Sequence, residues 1–206
     1  MPPLTVSVCG SIGAGKSTLL NQLQATYPLI EEGVKDWVDD GGFNWLQAFY
    51  DEPTRWTFSF QMRVLQTLDE SRARMLALPV PVVLTERCPL DSRHVFFEYH
   101  REKQWVTPAE YRLYDYHWQR IAWQPDVIIF IQADPETCHR RAQERGRAEE
   151  SALELSFFQD MGRHYEQLPA RIGKIPIYVC DNNTDGNLAG KTAAITEFIE
   201  QHRQRV

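Results

Sequence analysis

A glycine-rich stretch early in the sequence, VCGSIGAGKST at residues 8–18, combines the residue types that bind phosphate. Gly10, Gly15, Lys16 and Ser17 match the pattern G-x-x-x-x-G-K-[ST], between a β-branched apolar run and an amphipathic segment. The glycines let backbone N–H groups surround phosphate oxygens, the lysine reaches the terminal phosphates, and the serine hydroxyl is a magnesium ligand. The pattern predicts a phosphate-binding loop made of Gly10, Ser11, Ile12, Gly13, Ala14, Gly15, Lys16, Ser17 and Thr18, with Ser17 as a metal ligand.

Three further polar clusters follow apolar runs of strand length. They are EEG at 31–33, TER at 85–87 and CDNN at 180–183. In an open parallel sheet, ligands bind beyond the carboxyl ends of the strands. These charges are therefore better candidates for a functional site than the charges on helix faces.

The elements that must position these residues alternate along the chain. Apolar runs predict strands at 4–9, 28–30, 80–84, 126–131 and 175–179. Segments of helical periodicity lie at 16–25, 43–50, 55–78, 90–122 in two pieces, 135–145, 153–172 and 191–204. This alternation predicts an α/β fold, in which right-handed crossovers connect a five-stranded parallel sheet flanked by helices on both faces.

The composition is that of an ordinary globular protein. The 206 residues are 43% hydrophobic and 24% charged, and no linker or repeat divides them, so we expect one domain over residues 1–206. A net charge of −6 disfavours a broad basic face for nucleic acid, and no apolar run is long enough to span a membrane. The four cysteines lie far apart without a C-x-x-C pair. We expect a reduced, cytoplasmic protein with neither nucleic acid nor membrane as a partner.

A phosphate-binding loop alone does not distinguish a switch, a motor and a kinase. Guanine-nucleotide switches use an N-K-x-D strand end, which this sequence lacks, and the D-x-x-G match at 39–42 precedes a helix instead of ending a strand. A small-molecule kinase needs an acceptor pocket, a base and an arginine-rich lid. The arginines at 140–147 are candidates for such a lid.

Five sequence blocks together resemble one family. GSIGAGKST, EEGVKDW, FYDEPTRWTFSFQ, ERCPLDSRHVF and ERGRAEES occur in the order and spacing of the deoxynucleoside kinases, which include deoxycytidine and deoxyguanosine kinases and the mitochondrial-type and herpesvirus-type thymidine kinases. The similarity covers residues 4–185. It implies a P-loop kinase fold with a lid at about 141–152, ATP as phosphate donor, Mg²⁺, and a deoxynucleoside as acceptor. It also implies a homodimer, for which the aromatic-rich stretch at 111–123 is a candidate face.

The resemblance implies three catalytic residues. Glu32 matches the family's base for the nucleoside 5′-hydroxyl, Arg87 matches the arginine that steadies the attacking oxygen, and Lys16 contacts the phosphates. Glu86 matches the acid that holds magnesium opposite Ser17. Gly33 stands where the family usually has proline.

The resemblance also implies the residues that hold the two substrates. Gln61 would pair with the base edge, Phe96 would stack on the base, and Trp37 and Phe60 would line the pocket. Tyr50 and Glu150 match the pair that grips the 3′-hydroxyl of deoxyribose. Residues assigned to ATP are the lid arginines Arg141, Arg145 and Arg147, and Asp181 in the adenine-holding loop.

Two positions bear on the choice of nucleoside. Deoxycytidine and deoxyguanosine kinases have an arginine and an aspartate where this sequence has Leu68 and Ser92, so the resemblance favours thymidine first and deoxycytidine second. Asp91 is one residue from the missing acid, and a one-residue misalignment would reverse this expectation. Ser92 is therefore a candidate substrate-binding residue.

Two other functions remain as alternatives to a deoxynucleoside kinase. They are a thymidylate kinase and a non-catalytic nucleotide sensor.

Overall fold

The computed structural model describes residues 2–184 and 186–204, which contain one parallel sheet. Its strands are β1 (Leu4–Cys9), β2 (Leu29–Ile30), β3 (Val82–Glu86), β4 (Val127–Gln132) and β5 (Ile177–Asp181). They lie in the order β2-β3-β1-β4-β5, and every neighbouring pair is parallel. The predicted five-stranded parallel sheet is thereby confirmed.

Two strands begin two residues later than the apolar runs predict. Proline has no N–H to donate to a strand ladder, so it is confined to strand ends and edges. Pro81 and Pro176 occupy such ends, and their carbonyls accept hydrogen bonds from Leu4 (2.9 Å) and Ile128 (2.9 Å). Regular pairing of β3 and β5 therefore begins after each proline.

The helices cover both faces of the sheet. They are α1 (Lys16–Leu23), α2 (Val34–Val38), α3 (Trp45–Asp51), α4 (Pro53–Ala77), α5 (Pro89–Asp91), α6 (Phe97–Glu102), α7 (Pro108–Ile121), α8 (Pro135–Arg145), α9 (Leu155–Ile172) and α10 (Leu188–Arg203). A π-helical turn at Ser92–Phe96 joins α5 to α6, and a 3₁₀ turn at Ala148–Glu150 follows α8. Proline starts α4, α7 and α8, where its missing N–H leaves no helix bond unmade. Among the described residues, the helices lack the combination of length and apolarity that a bilayer crossing requires.

The core has two layers because alternate strand residues point to opposite faces of the sheet. Val6 and Ile129 belong to one buried cluster, which includes leucines of α1 and isoleucines of α10. Val83 and Ile128 belong to the other, which includes Tyr99 of α6 and several residues of α9. Burial on both faces explains why the strands read as continuous apolar runs.

The aromatic stretch at 111–123, the candidate dimer face, contributes mainly to the core. Tyr114 is fully buried, and its ring stacks on Phe97 with 3.6 Å between centroids. Leu113 and Tyr116 are exposed on the same helix. The homodimer remains a prediction.

Candidate active site

A cavity of about 720 Å³ opens beyond the carboxyl ends of β2 and β3, next to the glycine-rich loop. Its walls come from that loop, from α2, α3 and α4, and from the segment that follows β3. The predicted site residues that line it are Ile12, Gly13, Gly15, Lys16, Ser17, Thr18, Glu32, Trp37, Tyr50, Phe60, Gln61, Glu86, Arg87, Ser92, Phe96, Arg141, Arg145, Arg147 and Glu150. The predicted residues outside this lining are Gly10, Ser11, Ala14 and Asp181.

Two glycines of the phosphate-binding loop occupy positions that disfavour any other residue. Gly13 and Gly15 have φ values of +76° and +97°, in the left-handed region that glycine tolerates best. A Cβ on Gly13 would lie 2.1 Å from the carbonyl oxygen of Cys138, and one on Gly15 would lie 2.2 Å from Nδ2 of Asn182. The loop can therefore pack against the α8 backbone only with glycine at 13, whereas at 15 the positive φ is what favours glycine.

Lys16 is a buried cation at the start of α1, with 6% of its surface exposed. Its Nζ donates hydrogen bonds to the carbonyls of Gly10 (3.1 Å) and Ser11 (3.0 Å). Burial, and then the nearby charge of Arg87, lower the pKa of Lys16 to about 8. A bound phosphate would supply the opposite charge that this desolvated ammonium group needs.

Glu32 and Arg87 form an ion pair in the cavity wall. The distance from Arg87 Nε to Glu32 Oε1 is 2.8 Å. Burial raises the pKa of Glu32, and the charge of Arg87 opposes that rise. A carboxyl group whose pKa lies closer to neutrality is better suited to accept a proton during catalysis.

Arg87 has an unusual backbone conformation, and its side-chain Nε–H makes no hydrogen bond of good geometry within the described residues. Its φ is +63°, and its backbone N–H donates to the carbonyl of Val8 (3.0 Å). Among the described residues, the Nε–H has no acceptor in hydrogen-bonding geometry, although the two charges of the pair are in contact. The hydrogen-bonding capacity of this Nε–H is therefore not used up by its contact with Glu32.

Ser17 and Glu86 supply oxygen ligands at the phosphate end of the cavity. Both side chains line the same cavity as Lys16. Magnesium prefers oxygen ligands and is commonly bound through one or two carboxylates together with substrate phosphates. The donor set therefore fits a magnesium ion that arrives with a nucleotide.

Aromatic rings and one buried amide form the opposite end of the cavity. The ring of Phe60 packs edge-on against Trp37 (5.5 Å) and stacks on Phe49 (5.1 Å). Gln61 is 3% exposed, and its Oε1 accepts a hydrogen bond from the Ser92 hydroxyl (3.4 Å). Such a pocket can sandwich a flat ring and recognise its polar edge.

The residues at the two nucleoside-selecting positions are both in the cavity wall. Leu68 and Ser92 line the cavity, and both are neutral. Asp91 is fully buried and lies instead behind the wall, with its Oδ2 3.5 Å from Arg87 Nη1. The acid next to Ser92 therefore does not face the base pocket.

Glu150 gathers the lid arginines in this structure. Its side chain is 3% exposed and forms ion pairs with Arg145 and with Arg147, the latter at 2.5 Å. Tyr50 shares the cavity with them, and burial together with the charge of Glu150 raises its pKa. Tyr50 therefore stays protonated near neutral pH and can donate a hydrogen bond.

Asp181 lies at the exposed end of β5, where its Oδ1 accepts a hydrogen bond from the backbone N–H of Asn183 (3.0 Å). The neighbouring Asn182 has the closer relation to the phosphate-binding loop. Its Nδ2 donates to the carbonyl of Ala14 (2.7 Å), and its Oδ1 accepts from Lys191 (2.7 Å). Asn182 was given no role of its own, although it belongs to the CDNN cluster at 180–183 that follows the last predicted strand.

The fold and this cavity define the class of protein to which the chain belongs. A glycine-rich loop between β1 and α1 and a buried lysine form a phosphate site, and an acceptor cavity and an arginine-rich segment adjoin it. These are the parts of a P-loop phosphotransferase. A model of the deoxynucleoside kinase family matches residues 6–206, so the chain belongs to the deoxynucleoside kinase family. The resemblance stated from the five sequence blocks is confirmed.

Curated relatives agree with this family. The chain is 32% identical to the kinase-like protein 029R of Invertebrate iridescent virus 3, over 91% of this chain and 92% of that protein. It is 29% identical to the deoxycytidine kinase of Homo sapiens, over 87% of this chain and 84% of the relative. It is also 29% identical to deoxycytidine kinase 2 of Gallus gallus, over 87% and 82% of the two chains. The family transfers a phosphoryl group from ATP to a deoxynucleoside; two of these three relatives are named for deoxycytidine.

Proposed function

We propose that this protein transfers the γ-phosphoryl group of ATP to the 5′-hydroxyl of a pyrimidine deoxynucleoside, with thymidine preferred to deoxycytidine. The observation that carries the choice of base is the neutral wall formed by Leu68 and Ser92, next to the buried amide of Gln61. Burial lowers the pKa of His100, which lines the same cavity, to about 3, so its ring is uncharged near neutral pH.

The proposed chemistry follows from the arrangement at the junction of the two substrates. Glu32 accepts the proton of the 5′-hydroxyl as its oxygen attacks the γ-phosphorus, and the bond to the leaving ADP oxygen breaks. Lys16 and the lid arginines stabilise charge on the transferring group, while Arg87 holds the attacking oxygen. Ser17 and Glu86 would hold Mg²⁺, which neutralises charge on the triphosphate when it is bound.

Base selection depends on whether a buried polar group finds its partner. An amide such as that of Gln61 can donate to and accept from the edge of a pyrimidine, and a wrong edge leaves it unsatisfied in a buried site. Because Leu68 and Ser92 are neutral, the apolar 5-methyl group of thymidine would have no charged neighbour at these two positions. This favours thymidine, and the named relatives keep deoxycytidine as the second candidate.

The test is product formation with ATP and Mg²⁺ from thymidine, deoxycytidine, deoxyadenosine, deoxyguanosine and thymidine monophosphate at equal concentrations. We expect kcat/KM for thymidine to exceed that for either purine nucleoside by about tenfold or more. Turnover of purine nucleosides alone would overturn the pyrimidine preference. Turnover of the monophosphate alone would make the protein a thymidylate kinase, and ATP binding without turnover of any acceptor would make it a sensor.

Glu32→Gln tests the proposed base. We expect kcat to fall by about 10²-fold or more while ATP binding is retained, because the amide cannot take the proton. Glu31→Gln is the matched control, since Glu31 is exposed and pairs with Lys35 (3.1 Å). Equal activity of the wild type and Glu32→Gln would remove Glu32 from the mechanism.

A further inference from the structure

We propose that Asp91 and Tyr165 are positioning residues that hold the Arg87 guanidinium in its catalytic place. This inference rests on the proposed role of Arg87 at the attacking oxygen. Neither Asp91 nor Tyr165 lines the cavity, so both act on the reaction through Arg87. They form the rear half of a buried polar network whose front half is Glu32.

Asp91 is a buried carboxylate with a full set of local contacts. Its exposed fraction is 0%. Its Oδ2 lies 3.5 Å from Arg87 Nη1 and accepts a hydrogen bond from the Tyr165 hydroxyl (3.2 Å), while its Oδ1 accepts from the Cys88 thiol (3.6 Å). A carboxyl group buried away from water needs such hydrogen-bond partners. Asp91 therefore lies behind Arg87 as its second counter-charge.

Tyr165 approaches Arg87 from α9, on a different element. Its hydroxyl accepts a hydrogen bond from Arg87 Nη1 (2.5 Å) and donates to Asp91. Its ring stacks on Phe130 (5.6 Å) and packs edge-on against Phe96 (6.4 Å). Because the ring is packed, the hydroxyl is held at a defined place beside the guanidinium.

The same guanidinium is fixed on its remaining sides. Nη1 also donates to the carbonyl of Gly10 (2.8 Å), in the phosphate-binding loop, and the group lies 4.7 Å from the centre of the Phe96 ring. Its other charged neighbours are Glu32, Glu86 and Lys16. Arg87 is thus held between a front carboxylate, Glu32, and a rear carboxylate, Asp91.

Removing the rear carboxylate unbalances this arrangement. Glu32 would become the main counter-charge of Arg87 and would draw the guanidinium forward, over the oxygen that Glu32 must reach. A misplacement of about 1 Å in an active site can cost about 10²-fold in rate. The effect should appear in kcat, since neither residue lines the cavity in which the substrates would bind.

The test compares Asp91→Asn, Tyr165→Phe and the double variant with the wild type. We expect kcat to fall about tenfold to 10²-fold in each single variant, with KM for ATP and for nucleoside changed less than about threefold. The double variant should lose less than the product of the single losses, because both residues act on one group. Asp115→Asn is the matched control, since it breaks the Arg93–Asp115 ion pair (2.9 Å) outside the cavity.

Thermal unfolding and active-site titration of the same samples separate positioning from stability. A purely structural role would lower the folded fraction but leave kcat per folded molecule unchanged, and that result would overturn the proposal. If Asp91→Asn does not fold, Tyr165→Phe decides alone, because it removes only the hydroxyl and keeps the packed ring. Arg87→Ala completes the set: if it keeps full turnover, the proposed role of Arg87 fails. If it is inactive while Asp91→Asn and Tyr165→Phe turn over normally, only this inference fails.

Discussion

At residue 33, the turn that carries Glu32 has no room for a side chain. Gly33 has a φ of −72°, which any residue can adopt, so backbone conformation does not explain the glycine. An added Cβ would lie 2.9 Å from Cβ of Thr67 in α4. The Thr67 hydroxyl in turn accepts a hydrogen bond from Trp37 Nε1 (3.2 Å). The glycine therefore lets the turn that carries the proposed base pack directly against the wall of the base pocket.

We expect Gly33→Ala to destabilise the protein by about 1–3 kcal/mol, because the new methyl group overpacks a close contact. It should also lower kcat, since the turn that holds Glu32 must move away from α4. Urea unfolding and turnover on the same preparation measure both effects.

Gly162→Ala is the control for this substitution. A Cβ at Gly162, in α9, would lie 3.5 Å from Pro135 Cγ, an ordinary contact, and alanine favours the helix by up to about 1 kcal/mol. If Gly33→Ala were as stable and as active as Gly162→Ala, the close contact with Thr67 would not constrain the turn.

Sequence reasoning at this scale found the residues that belong to a motif. Glu32, Lys16 and Arg87 each follow a strand within a recognisable pattern. Tyr165 was not found, and Asn182 was seen only as part of the CDNN cluster, because their importance comes from contacts with Arg87 and Ala14 that are far away in the chain. A single sequence carries no local signal for such pairs.

The lid, at about 141–152, carries the three arginines that we expect to contact the phosphates. In this structure, Arg145 and Arg147 are held by the single carboxylate of Glu150, and Arg141 Nη1 donates to the carbonyl of Asn182 (2.8 Å). Planar guanidinium groups bind phosphate through paired hydrogen bonds and stay charged at all relevant pH values. An incoming triphosphate would compete with Glu150 for the first two.

We expect Arg145→Ala to lower kcat/KM for ATP by about tenfold to 10²-fold, because one charge-assisted contact to the phosphates is lost. Arg140→Ala is the matched control, since Arg140 lies on the same helix, pairs with Glu144 (2.9 Å) and does not itself line the cavity. We expect it to stay within about twofold of the wild type. Equal losses in the two variants would show that general charge on α8, and not a contact from Arg145, supports ATP use.

At the scale of elements, the alternation of apolar runs and helical segments was enough to predict a five-stranded parallel sheet. Strand starts were shifted where proline interrupts the ladder, as at Pro81. The short helix α2 and the π-helical turn at Ser92–Phe96 were not predicted. Both are too short to show a hydrophobic period, and tertiary packing decides their conformation.

Across the whole molecule, two buried histidines are electrostatic neighbours, and one of them, His100, lines the cavity. His100 is 2% exposed, and His164 is fully buried. Burial lowers the pKa of both rings; a charge on His164 would lower the pKa of His100 further, and the charge of Arg163 lowers that of His164. Glu102 faces His164 at 3.3 Å and opposes this effect.

These histidines should make the fold sensitive to acid. An unfolded histidine binds a proton below about pH 6.5, whereas folded His100 binds one only near pH 3, so stability is lost as pH falls between these values. For His100 alone, we expect the free energy of unfolding to fall by about 2 kcal/mol from pH 7.5 to pH 5. Urea unfolding at both pH values, without ligand, measures this loss.

In His100→Leu, the loss of stability between pH 7.5 and pH 5 should be smaller by about 2 kcal/mol, because a leucine side chain cannot be protonated. The comparison is between the pH dependences of the two proteins, so any constant effect of the substitution on stability cancels. Parallel pH dependences would mean that His100 is protonated equally in the folded and unfolded states.

Because all five strands run in the same direction, their amino ends lie together on the side of the sheet away from the cavity. Gln124 is exposed just before β4, at that end, and all four native cysteines are buried. A Gln124→Cys protein would therefore present one accessible thiol to a maleimide. A dye or a bead coupled there would leave the cavity mouth facing the solution, so immobilised enzyme and single-molecule probes can be prepared without first removing the native thiols.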